Sequence, residues 1–181
     1  MDLVALVLTA IWVMLPAYIP NNVAVLAGGG RPIDGGRTWN GRRVLGDGKT
    51  WRGAIAGIAA GIVLALALNA IQAPVRGTFG LDVPTFSVGI LVAFPVGAIL
   101  GDMAASFVKR RTGRQRGQPW PGMDQLDFLL MSLLAGLVLD RTWMFDTFTP
   151  ALLAVVVLLT PVLHLTTNWI AYVFGLKDEP W

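Results

Sequence analysis

The sequence predicts an all-α membrane protein with five transmembrane helices and two basic cytoplasmic loops. Three observations carry this. First, the 181 residues are 55% hydrophobic and only 14% charged, with a mean hydropathy of +0.64; one soluble core cannot hide so much apolar surface. Second, apolar runs long enough to cross a hydrocarbon core of ~30 Å alternate with short polar links. Third, basic residues collect in alternate links, as they do on the cytoplasmic side of a membrane protein. There is no Cys, which excludes disulfides and a thiolate nucleophile. The expected organisation is a single integral membrane domain over 1–181.

The first apolar run covers residues 3–27, with Pro16 and Pro20 inside it and Asn21 and Asn22 near its end. Asp2 stands where a signal peptide would carry basic residues, and the run is too long for one. Residues 28–53 form a loop dense in Gly that carries Arg31, Arg37, Arg42, Arg43, Lys49 and Arg52; so much Gly, with Pro32, predicts no regular structure. The second span is 54–73. Gly53, Gly57 and Gly61 recur at four-residue spacing, a face that lets another helix approach closely, within the chain or between copies. After a link at 75–85, the third span, 86–108, holds Asp102. A basic loop, 109–122, leads into the fourth span, 123–139, which opens with Asp124 and Asp127. A second link, 140–146, precedes the fifth span, 148–174, with Pro150, Pro161, His164 and Asn168; the polar tail LKDEPW follows.

Of the fourteen Lys and Arg residues, six lie in the loop after span one, five in the loop after span three and one, Lys177, in the tail. The opposite side has Arg76 and Arg141. This asymmetry predicts an outside N-terminus and a cytoplasmic C-terminus, with both basic loops facing the cytosol.

The chemistry concentrates between Gly101 and Asp127. Helical spacing puts Asp102, Ser106 and Lys109 on one face of span three. Asp124 and Asp127, three apart on span four, lie roughly 5–6 Å apart at Cβ. Between the two acidic faces, that of Asp102 and that of Asp124 and Asp127, come Arg110, Arg111, Arg114 and Arg116. Acids and bases thus meet at one mouth of an apolar bundle, a place to hold a metal-bound polyphosphate. A carboxylate as deep as Asp102 costs ~2.5–3.5 kcal/mol on insertion scales and needs a partner, either a basic residue joining helices or a ligand. Asp124 and Asp127 suit either a helix start, where a cap and the helix dipole favour acids, or a metal. The run Lys109-Arg110-Arg111 reads as a topology signal or as an anion site, with Lys109 the one directed inward. The stretch GDGKTWRG, Gly46 to Gly53, lacks the first Gly of a Walker loop, since Arg43 stands there, and no strand precedes it. Its backbone N–H groups, Lys49 and Arg52 at a helix start favour an anion all the same, either a phosphate or lipid headgroups. Asn21 and Asn22 are placed to touch a nucleotide, and His164 reads as a hydrogen-bonded bundle residue.

Taken together, PNN at Pro20–Asn22, GDGKTWRG, the run from Gly101 to Arg111 and GMDQLD at Gly122–Asp127 resemble the CDP-archaeol synthase family, membrane CTP-dependent cytidylyltransferases related to bacterial CDP-diacylglycerol synthase. The bacterial signature continues into a Lys-Asp pair and a longer acidic motif; here Thr112, Gly113 and Arg114 follow instead, with Gly122, Asp124 and Asp127 in the acidic part. The resemblance implies transfer of CMP from CTP to the phosphate of an isoprenoid ether lipid, unsaturated archaetidic acid, with Mg²⁺ as cofactor. It implies metal-side roles for Asp102, Asp124 and Asp127, a signature role for Ser106, Lys109 and Arg110, and nucleotide binding by Asp47, Lys49 and Arg52.

Such a reaction needs no general base, because a lipid phosphate, with a second pKa near ~6, is already mostly a dianion at neutral pH. The obstacle is repulsion between two anions, which a metal ion and cationic clamps relieve. The assignment expected is Asp124 and Asp127 as primary metal ligands, with Asp102 third or behind them. Lys49, Arg52 and Lys109 fall on the triphosphate, and Arg110 or Arg111 on the lipid phosphate. The partners expected are CTP, the lipid phosphate and the bilayer, with no nucleic acid. Two other classes share parts of this pattern: a CDP-alcohol phosphotransferase, whose acids stand four apart rather than three, and a small transporter or anionic-lipid-binding protein using the basic loops as a collar.

Overall fold

The computed structural model describes residues 2–114, 120 and 122–175; Arg116 and Lys177, counted above, lie outside them. Among the described residues the chain forms six helices, α1 (Leu3–Leu26), α2 (Trp51–Phe79), α3 (Val88–Arg111), α4 (Met123–Leu139), α5 (Arg141–Thr147) and α6 (Pro150–Val173), with a two-stranded hairpin, β1 (Thr38–Trp39) and β2 (Arg42–Arg43), between α1 and α2. Helices α1, α2, α3 and α6 are long and apolar enough to cross a membrane. Helix α4, with 17 residues, is about 26 Å long. Short polar side chains start most of these helices by accepting a free N–H of the first turn. Asp2 takes that of Ala5 at 2.7 Å, Thr50 that of Gly53 at 3.1 Å, Ser87 that of Ile90 at 3.3 Å and Thr149 that of Leu152 at 3.2 Å.

Two glycine seams set the packing. On α2, a Cβ at Gly53, Gly57 or Gly61 would stand 2.6 Å from the Ala24 carbonyl oxygen, 2.4 Å from that of Pro20 and 2.8 Å from that of Pro16. Antiparallel α1 and α2 therefore touch backbone to backbone at every turn, and the glycine face serves a contact inside the chain. The Pro16 carbonyl lacks its helical donor because Pro20 has no N–H, and Gly61 lets α2 come up to it. On α3, a Cβ at Gly97 would lie 2.6 Å from the Met131 oxygen, and one at Gly101 2.4 Å from the Asp127 oxygen. This second small-residue face brings α3 against α4 one residue before Asp102 and directly at Asp127.

The core between the seams is built from Met14, Ala17, Ile90, Phe94, Leu129 and Val156, all at most 1% exposed. At the end away from the hairpin, the link 81–87 is strapped to the bundle. Asn69 exchanges hydrogen bonds with the Phe86 backbone at 2.9 and 2.7 Å, and the indoles of Trp12 and Trp143 donate to the Pro84 and Thr85 carbonyls at 3.0 and 2.7 Å.

Several boundaries differ from the sequence-based expectation. Residues 28–50 are ordered around a hairpin whose two-residue turn, Asn40-Gly41, has φ of 50° and 73°, the positive pair that a tight type I′ connection needs. Helix α2 begins at Trp51 and runs past Pro74 to Phe79, ending at Gly80 with φ 64°. The link 140–146 is largely helical, as α5. Lys109, Arg110 and Arg111 form the last turn of α3, where cations meet the negative end of the helix dipole.

Candidate functional site

At the hairpin end, α1, α3, α4, α6 and the loop before α2 enclose a cleft of about 330 Å³. Lys49, Asp102, Asp124, Asp127 and Asn21 line its polar side, and Val25, Leu26, Ile170, Ala171 and Phe174 give it apolar walls. The approach of α3 to α4 at Gly101 explains why acids from two helices share it. The Lys49 ammonium forms an ion pair with Asp102, and Lys109 pairs with Asp124 at 2.5 Å. Asp124 also accepts the Trp120 N–H at 2.9 Å, so it holds the entry to α4 as an N-terminal acid does. Asp127 makes no ion pair among the described residues, although it lies near enough to Asp102 and Asp124 to feel their charge. Asn21 donates to the Ala98 carbonyl at 3.5 Å, while its own side-chain oxygen is buried without a hydrogen-bond partner.

Lys49 reaches the cleft because the loop behind it is knotted at Asp34, whose side chain is only 1% exposed. That carboxylate accepts the backbone N–H groups of Gly36, Leu45 and Gly46, each at 3.0 Å, and both Nε and Nη2 of Arg43 at 3.4 and 2.7 Å. Burial pushes the Asp34 carboxyl up, but the Arg43 guanidinium and the three N–H groups outweigh it and hold the group well below the usual carboxylate range.

The structure gathers Asn21, Asn22, Lys49, Asp102, Asp124 and Asp127 at the cleft, and places other expected site residues elsewhere. Asp47 is 70% exposed and paired with Arg43; Arg52 is exposed on the first turn of α2, and half-buried Ser106 does not line the cleft. Arg111 lies against the hairpin. Its guanidinium donates to the carbonyls of Trp39 at 2.7 Å, Arg42 at 3.2 Å and Arg43 at 2.7 Å. It also lies 5.3 and 5.4 Å from the ring centroids of Trp39 and Phe107, so it anchors the hairpin. Arg110 donates to the Arg114 carbonyl at 2.9 Å and lies against Gly46, outside the cleft lining. Neither lines the cleft.

A family model for CarS-like CDP-archaeol synthase matches residues 3–181. The chain belongs to the CDP-archaeol synthase family. It is accordingly a nucleotidyltransferase with several membrane-crossing helices. The CDP-archaeol synthase of Haloarcula marismortui is 60% identical over 100% of both chains. That of Halorubrum lacusprofundi is 58% identical over 98% of each, and that of Methanococcoides burtonii is 45% identical over 93% of this chain and 100% of the relative. A solved structure described as an intramembrane enzyme for archaeal membrane lipids biosynthesis is 43% identical, with a TM-score of 0.71, covering 90% of this chain and 94% of that one.

The donor chemistry of a CDP-archaeol synthase family cleft of this kind suits a hard divalent cation, because Asp102, Asp124 and Asp127 all offer carboxylate oxygen. Among the described residues, however, no three acidic or histidine side chains stand together as a group able to hold a metal ion by themselves. Lysines engage two of the three acids, and Mg²⁺ needs only one or two protein carboxylates when phosphate oxygens and water complete its shell. Sequence reasoning also missed the α6 wall, where His164, Thr167 and Asn168 line the cleft and His164 stacks on Phe128 with centroids 6.2 Å apart. The signal was present, since positions i, i+3 and i+4 form one polar stripe on an apolar helix.

Proposed function

We propose that the chain transfers the cytidylyl group of CTP to the phosphate of unsaturated archaetidic acid, 2,3-bis-O-geranylgeranyl-sn-glycerol 1-phosphate, releasing pyrophosphate, with Mg²⁺ as cofactor. The observation that carries this is the two-sided cleft, with cation and carboxylates on one wall and apolar helix on the other. It suits a substrate pair that is polyanionic at one end and hydrocarbon at the other.

In the reaction, an oxygen of the lipid phosphate bonds to the α-phosphorus of CTP as the bond from that phosphorus to the β-phosphate oxygen breaks. Asp127, with Asp124 or Asp102, would hold the Mg²⁺, which supplies charge screening between the two anions and on the leaving pyrophosphate. Lys49, already in the cleft, transfers from Asp102 to the triphosphate, and Lys109 serves as the second cation beside Asp124. The orphaned Asn21 oxygen accepts a hydrogen bond from the nucleotide. Val25, Leu26, Ile170 and Phe174 pack on the first part of the lipid chain and exclude water from the reacting phosphates.

In this reading the whole chain is one membrane domain with five crossings, α4 being the fourth. The N-terminus is outside, and the cleft, both basic loops and the C-terminus are cytoplasmic, following the basic-residue asymmetry. The test is radiolabelled CTP with the lipid phosphate in detergent. Labelled CDP-lipid and pyrophosphate are expected; release of CMP, or no consumption of CTP, would overturn the assignment.

A further inference from the structure

The tie between the hairpin and α3 has a use beyond folding the loop. From the end of α3, the Arg111 guanidinium binds three hairpin carbonyls, and Arg42 returns bonds to the Arg110 and Arg111 carbonyls at 3.3 and 3.2 Å. From the hairpin, Arg43 passes to Asp34, which also fixes the N–H groups of Leu45 and Gly46. The Lys49 N–H then donates to the Gly46 carbonyl at 3.2 Å, and the Lys49 carbonyl accepts from Ile33, the neighbour of Asp34, at 2.8 Å. An unbroken path of hydrogen bonds therefore runs from the C-terminal turn of α3 to the backbone of Lys49. The Lys49 side chain then returns to Asp102 on that same helix, about two and a half turns before Arg111. The loop is clasped to α3 at both places, and ten glycines in the described chain stand at positive φ, six of them between Gly29 and Gly46. Without the clasp, so glycine-rich a loop has little to fix its course.

We propose that Asp34 and Arg111 are positioning residues that hold Lys49 at the cleft, so that they set the affinity for the nucleotide although neither touches it. This rests on reading Lys49 as a ligand of the triphosphate. Arg111→Lys keeps the charge but loses the planar fork that spans several carbonyls. Asp34→Asn keeps the shape but not the charge.

Each is expected to raise the KM for CTP about tenfold, with the KM for the lipid within twofold and kcat little changed. Arg42→Gln, at an exposed site, should raise the KM for CTP less and in the same direction, and keeps the test available if a stronger variant fails to fold. In a Lys49→Ala background none of these changes should raise the KM further, since residues acting through one group are not additive. The chain has no Cys, so a nitroxide on Asn40→Cys reports the clasp without turnover. Its mobility should rise in Arg111→Lys and Asp34→Asn and stay unchanged in Lys49→Ala. A label that stays immobile in both clasp variants, or KM effects that add in full to that of Lys49→Ala, would overturn the proposal. Failure of the underlying reading appears separately, as an unchanged KM for CTP in Lys49→Ala alone.

Discussion

Gly101→Ala tests the link between helix packing and chemistry most directly. The added Cβ would stand 2.4 Å from the Asp127 oxygen and 2.7 Å from both the Asp127 carbonyl carbon and the Phe128 Cα. All three are backbone atoms of α4, so no rotamer change relieves the overlap. Reaching the 3.0–3.4 Å of a tight contact requires α4 to retreat by roughly 0.6–1 Å. Overpacking of this kind costs about 1–3 kcal/mol, and the helical preference of Ala over Gly returns ~0.5–1 kcal/mol, leaving a modest loss of stability. The larger effect falls on turnover, because the retreat separates Asp127 from Asp102 at the cleft itself, and a misplacement of ~1 Å costs on the order of 10²-fold in rate. Initial rates and thermal unfolding in detergent should be measured beside Gly77→Ala, whose Cβ meets nothing within 4 Å and which should be neutral or slightly stabilising. A Gly101→Ala enzyme that turns over within twofold of the parent would refute the argument that this seam sets the spacing of the acids.

Asp124→Asn and Asp127→Asn should each lower kcat by at least about 100-fold, the usual size of losing one electrostatic group at a reacting phosphate, while unfolding midpoints stay close to the parent; near-normal rates in both would remove them from the metal side. Lys49→Ala should raise the KM for CTP roughly 10–100-fold, matching a charge-assisted hydrogen bond of about 1.5–3 kcal/mol, with a smaller change for the lipid, and the opposite order would place Lys49 on the lipid phosphate. The Asp34 carboxyl has a folded pKa below its ordinary value, so its contribution is complete above the unfolded value of about 3.9 and is lost as pH falls toward the folded one. The Asn40→Cys label should therefore keep its mobility from pH 8 down to about pH 5 and loosen only below about 4; loosening near neutrality would contradict the knot.

The long helices were legible because apolar length is a local property. Helix α4 has the bounds expected for the fourth apolar run, and α1 differs from the first by one residue. Gly53, Gly57 and Gly61 were legible as a close-packing face. The equivalent pair Gly97 and Gly101 was equally present at four-residue spacing and was not used, although it is the pair that assembles the site. The hairpin was also within reach, as Asn40-Gly41 is the strongest short-range signal for one; it was obscured by the density of Gly around it, which suggested an irregular loop.

What could not be read from spacing was the pairing across elements. Arg111 and Lys109 are two residues apart in one basic run, yet a helix places them about 200° apart around its axis. Lys109 thereby meets Asp124, while Arg111 faces Trp39 and the hairpin carbonyls. A charge count treats the two as equivalent, and only the helix rotation separates an inward cation from a structural one. The same rotation limits what the carboxylates do. Asp102 and Asp124 face lysines, which neutralises two of the three half-buried carboxylates that would otherwise repel one another across the α3–α4 seam. A nucleotide entering with its own cation can exchange both partners at once, lysine moving to phosphate and carboxylate to metal, without leaving any charge uncompensated. The ion pairs of Lys49 with Asp102 and of Lys109 with Asp124 are thus ones that a polyanion is suited to replace, which a neutral or cationic ligand is not.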